Sequence, residues 1–176
     1  LPLFRPDSFL GATLPWARHL ASPACLGFCL LLTLAGVWGL LQRFDAYLAT
    51  LPRFFTVVGL LFYALAMVAI RGIHELAHAY AAKSYGVRVR ALGVSLVFLW
   101  PVPYGDVTEA WRLANRRQRL GIALAGVIAE LCIAGMALFV WSVTGPGIWN
   151  SLGFVLSTAS LIATVLVNLN PFMRYD

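Results

Sequence analysis

Residues 54–82 read FFTVVGLLFYALAMVAIRGIHELAHAYAA. The run is uncharged through Ile70. As a helix rising about 1.5 Å per residue, it is long enough to cross a hydrocarbon core of roughly 30 Å. Its second half departs from a plain anchor, because Arg71, His74, Glu75 and His78 follow one another closely. Helical spacing sets His74 and His78 on one face. Titratable side chains are costly inside a bilayer and mark a functional site by default. The stretch therefore predicts a membrane helix with a chemical centre built into it.

The rest of the chain supports a bilayer setting. Of 176 residues, 61% are hydrophobic and only 11% charged, against about 25% charged in an ordinary soluble domain. That balance excludes a disordered tail, a nucleic-acid-binding module and a soluble enzyme with a polar shell. Three further apolar runs lie at residues 24–41, 120–141 and 148–167. The reading is an all-α integral membrane protein of about four transmembrane helices. Residues 1–53 form an N-terminal segment with the first transmembrane helix, and residues 54–176 form the functional core. The stretch before Pro23 is expected to be irregular or interfacial. The chain starts at Leu1 and stops at Asp176 without a tail, so it is expected to be a fragment cut short at its C-terminus. Cys25, Cys29 and Cys132 follow no metal or disulfide pattern and are expected to be small buried hydrophobes.

The net charge of +6 marks sidedness rather than an acidic partner. If the four segments alternate, one side receives Arg5, Arg18, Lys83, Arg88, Arg90, Arg112, Arg116, Arg117, Arg119 and Arg174. The other receives only Arg43 and Arg53. The excess predicts cytoplasmic termini. The connection between Lys83 and Arg119 alternates over Val87-Arg88-Val89-Arg90 and continues extended and apolar from Gly93 to Trp100, where Pro101 and Pro103 are expected to break it. A β-hairpin or re-entrant loop at the membrane edge is predicted. Its extended stretch is a candidate to pair with an unwound substrate strand, with Val89, Leu96 and Asp106 as candidate substrate contacts.

His74-Glu75-Leu76-Ala77-His78 is H-E-x-x-H. Two imidazoles one turn apart reach one metal ion, and the adjacent carboxylate takes a proton from a metal-bound water. A catalytic zinc site needs a third protein ligand. His19 lies in the N-terminal stretch without a partner motif. The fourth segment ends Asn168-Leu169-Asn170-Pro171-Phe172-Met173-Arg174-Tyr175-Asp176. The second and fourth segments run the same way through the membrane, so Asp176 arrives at the face of the histidine pair. Asn170 is a candidate donor to a developing oxyanion, or else a helix cap. Two supporting charges, Arg71 and Glu130, are expected to pair with each other, with snorkelling to the headgroups as the alternative for Arg71.

The histidine motif followed by N-P-x-x-x-x-D resembles the site-2 protease family of intramembrane zinc metalloproteases, in particular its bacterial branch of peptide zinc metalloproteases. The likeness includes Ala81-Ala82-Lys83-Ser84-Tyr85-Gly86, Pro103-Tyr104-Gly105-Asp106-Val107, Ala110-Trp111-Arg112, Arg116-Arg117-Gln118-Arg119, Ala125-Gly126 and Glu130. It covers about residues 54–176. The resemblance implies a three-helix catalytic core and one zinc ion held by His74, His78 and Asp176. It also implies Glu75 as the catalytic base and hydrolysis of a membrane-associated or exported peptide, with a peptide-export complex as a partner. A non-catalytic pseudo-protease or peptide-export accessory protein of the same fold is the competing reading. A proton relay in a transporter is a third, which the H-E-x-x-H spacing disfavours.

Overall fold

A computed structural model describes residues 2–4, 6–97 and 100–168 of the chain. The elements run β1 (Pro2–Phe4), α1 (Asp7–Leu20), α2 (Pro23–Gln42), α3 (Phe44–Leu48), α4 (Val57–Ser84), β2 (Leu92–Val97), β3 (Trp100–Gly105), α5 (Arg116–Val143) and α6 (Ile148–Ile162). A π-helical turn, Ala163–Asn168, continues α6. Among the described residues four helices, α2, α4, α5 and α6 with its extension, are long and apolar enough to cross a membrane. Large apolar side chains such as Leu30, Leu31 and Trp38 of α2 and Leu60, Leu61 and Leu65 of α4 stand exposed, a surface suited to lipid and not to water. The chain is thus a helical integral membrane protein with one small sheet, as its sequence predicts.

Over the described residues the chain divides into two compact units, one of residues 2–22 and 71–129 and the other of residues 23–70 and 130–168. The first unit carries the sheet, whose antiparallel strands lie in the order β1-β2-β3. Its core gathers Leu10, Ala79, Ala82, Val87, Val89, Leu92 and Ile122. Of the two expectations for the N-terminal stretch, irregular or interfacial, the first is corrected here, because residues 7–20 form a helix. Asp7 in its first turn and Arg18 and His19 in its last complement the helix dipole. Leu10 is fully buried. Lys83 Nζ lies 2.7 Å from Asp7 Oδ1, and the Thr13 and Tyr80 hydroxyls are 2.7 Å apart, so polar contacts tie α1 to α4.

Helix α4 ends in a Schellman motif. Val87 N–H donates to Ala82 O at 3.1 Å and Gly86 N–H to Lys83 O at 3.0 Å, with Gly86 at φ 78°. Beyond it the alternating segment 87–90 is not a strand. Val87 and Val89 are buried while Arg88 and Arg90 are exposed, because the extended chain lies across the helical core. The hairpin falls later, over β2 and β3. Pro101 and Pro103 do not break it: they sit inside β3, opposite Leu96 and Val94. β3 is an outer strand, and two prolines of equal parity leave their missing donors on one side of it, so pairing with β2 survives.

The second unit packs by small and aromatic residues. Ala66 and Ile70 of α4 meet Val155 and Ala159 of α6. Tyr47, Phe54, Trp141 and Phe154 form an aromatic cluster with ring centroids 4.7 to 5.4 Å apart. The Tyr47 hydroxyl lies 2.9 Å from that of Ser157, and the nearby Tyr63 hydroxyl 2.7 Å from that of Thr158. Cys25, Cys29 and Cys132 are thiols outside any disulfide, Cys29 buried and the other two half-buried.

Candidate metal centre

The centre is built on the second half of α4. His74 is fully buried and His78 nearly so. Their rings meet edge-on, centroids 4.5 Å apart, with the two Nε2 atoms 2.9 Å apart. The other nitrogen of His78, Nδ1, lies 2.7 Å from the carbonyl oxygen of Ile122 on α5. A carbonyl only accepts, so Nδ1 carries the proton and Nε2 presents its lone pair. An outer hydrogen bond of this kind fixes the tautomer of a histidine where one ligates a metal. Bonds of about 2.0–2.1 Å in a tetrahedral geometry separate two ligating nitrogens by roughly 3.3 Å. The observed spacing is close to that, so the pair fits a single ion such as zinc.

Glu75 points its carboxylate toward the sheet. Gly105 N–H of β3 donates to Oε2 at 3.1 Å, and Arg71 Nη2 lies 3.5 Å from Oε1. Both oxygens are met by donors, which orients the carboxylate between helix and hairpin. A cleft of about 250 Å³ opens beside it, lined by Glu75 and Leu76 of α4, Leu92 and Val94 of β2, and Pro103 and Tyr104 of β3. Its walls are almost wholly apolar, which suits an extended peptide with apolar side chains.

The remaining candidates fall as follows. Asn170 and Asp176 lie outside the described residues. Among the described residues no third His, Cys, Asp or Glu completes a metal-binding group. His19 is exposed at the end of α1. Val89 is buried in the core of its unit, and its N–H donates to Asp7 Oδ1 at 3.3 Å. Asp106 accepts from the hydroxyl and, at 3.1 Å, from the N–H of Thr108. Those bonds hold its carboxyl below the ordinary carboxylate range. The backbone of Leu96 pairs with Pro101 in the hairpin. Both edges of β2 are occupied, by β1 and β3, so a substrate strand finds no open edge there. The two supporting charges, expected to pair with each other, are each seen with another partner. Arg71 meets Glu75, and Thr164 Oγ1 donates to Glu130 Oε2 at 2.7 Å.

Three contributors escape the sequence reading: the N–H of Gly105, the carbonyl of Ile122 and the hydroxyl of Thr164. The first two are backbone groups with no signature in residue type.

Residues 62–173 match peptidase family M50. An uncharacterized protein of Methanocaldococcus jannaschii is 32% identical over 85 residues, which are 47% of this chain and 23% of that protein. The chain thus spans less than a quarter of that relative's length. No solved structure matches the chain significantly.

Proposed function

The chain belongs to peptidase family M50, and from that premise we propose that it is a membrane-embedded zinc metalloendopeptidase acting on a membrane-associated or exported peptide. The observation that carries this reading is the buried His74–His78 pair, Nε2 to Nε2 2.9 Å, with Glu75 beside it at the mouth of an apolar cleft. His74, His78 and Asp176 would hold the ion. Zinc bound there supplies Lewis acidity, polarising a peptide carbonyl and acidifying a water.

The chain's own residues do the rest. The apolar cleft takes an unwound stretch of substrate and excludes bulk water from it. The Glu75 carboxylate accepts a proton from the attacking water as the oxygen–carbon bond forms. It returns that proton to the amide nitrogen as the carbon–nitrogen bond breaks. Arg71 and the Gly105 N–H keep the carboxylate aimed during both transfers. Asn170 donates to the negative charge developing on the carbonyl oxygen. We take both termini as cytoplasmic, because the cationic residues gather on that side.

Metal content of the purified full chain tests the reading. About one zinc per chain is expected, lost in His78→Ala and in Asp176→Ala. Folded wild-type protein that takes up no zinc would overturn it.

A further inference from the structure

We infer that Gly126 of α5 is a positioning residue for the His74 imidazole, its missing Cβ forming the space in which Nε2 is held. The inference rests on the reading of His74 as a metal ligand. A Cβ built at Gly126 stands 2.5 Å from both Cε1 and Nε2 of His74 and 2.7 Å from Cδ2. All three nearest atoms belong to that one ring. Other close-packing glycines meet other groups: Gly36 faces the Phe139 backbone nitrogen at 2.6 Å and Gly153 the Ala137 carbonyl oxygen at 2.7 Å, while Gly39 and Gly135 face the side chains of Ser142 and Thr33. Among these, Gly126 is the glycine that makes room for a histidine ring.

The ring has little freedom to yield. His74 is fully buried, and its Nε2 is already 2.9 Å from that of His78. His78 is itself tied to Ile122 O at 2.7 Å. Ile122 and Gly126 are one turn apart on α5, as His78 and His74 are on α4, so each turn of α5 serves one histidine. A methyl group at 126 displaces the His74 ring by a large part of an ångström, against a tolerance of about 0.2 Å in metal–ligand bonds.

The test uses the full chain in detergent, with zinc alone as the probe and a competing chelator to read affinity. Gly126→Ala should lower zinc affinity by about tenfold or more, the scale of losing an outer-shell contact. Gly27→Ala should not, because a Cβ at Gly27 meets open space. A second measurement, melting of the metal-free protein, separates the ring from general packing. Any destabilisation by Gly126→Ala should vanish in a His74→Ala background, where no imidazole remains to be pushed. A loss of affinity under tenfold overturns the inference. So does equal destabilisation, or failure to fold, in both backgrounds. A wild type that binds no zinc overturns the metal-site reading itself and this inference with it, whereas zinc uptake unchanged by Gly126→Ala overturns this inference alone.

Discussion

In the proposed mechanism Glu75 moves the protons, and its surroundings separate that role from metal binding. Its oxygens receive Gly105 N–H at 3.1 Å and Arg71 at 3.5 Å, while the nitrogens proposed to hold the ion belong to its neighbours. Glutamine at this position keeps the size and still accepts from Gly105, but it takes no proton. We expect Glu75→Gln to lower peptide hydrolysis by roughly 10²–10⁴-fold with zinc content near that of the wild type, both read on one preparation. Undiminished hydrolysis would remove Glu75 from proton transfer. His74, Glu75 and His78 were legible in the sequence because their chemistry sits in side chains at helical spacing. Gly105 and Ile122 were not, since every residue carries an N–H or a C=O and only the fold aims them. The Arg71–Glu75 contact, at i,i+4, was readable too. A pairing of Arg71 with Glu130 competed with it, and sequence spacing does not rank a local partner against a remote one.

At the scale of elements, α1 depends on a surface ion pair, the Thr13–Tyr80 hydroxyl contact and one buried leucine. Lys83 beside Asp7 holds its carboxyl below the usual carboxylate value, with the Val89 N–H adding to the effect. A lowered native value means that the pair's stabilisation is complete above about pH 4, the unfolded aspartate value. It fades as pH falls through the lower native value. Both side chains are partly exposed, so the contribution is small. We expect α1 to exchange its amide hydrogens faster below about pH 4 than above it, relative to intrinsic rates. Asp7→Asn should exchange fast at neutral pH already and lose the acid dependence. An α1 equally protected in both proteins at pH 7 would show that Leu10 and the Thr13–Tyr80 contact dock it without the ion pair. This helix was hidden in the sequence: Pro15 lies inside it, and no long apolar run announces it. β3 was hidden for a related reason. Proline reads as a strand breaker, and only its place on the outer strand, in one parity, makes it harmless.

For the whole molecule the membrane class was the easiest feature to read, because four apolar runs survive any uncertainty at their ends. Sidedness is the finer matter, and charge bears on it directly. Ser84 closes α4 only six residues after His78, so at about 1.5 Å per residue His78 lies roughly 9 Å along the helix from that end. The His74–His78 pair therefore belongs to the bilayer half next to the cationic 83–119 connection. If that half is cytoplasmic, the proposed cleavage falls on the inner side. Single cysteines at exposed positions, with Cys25, Cys29 and Cys132 replaced by alanine, report which half it is. Ala21→Cys precedes α2 and Ala114→Cys precedes α5, whereas Ala49→Cys follows α2 and Gly145→Cys lies between α5 and α6. A membrane-impermeant maleimide added to intact cells should label positions 49 and 145, and reach 21 and 114 only after permeabilisation. The reverse pattern would put the centre on the outer side, against an excess of ten cationic residues to two. Labelling of one member of either pair without the other would break the four-crossing topology, and with it the charge argument for which side the histidine pair faces.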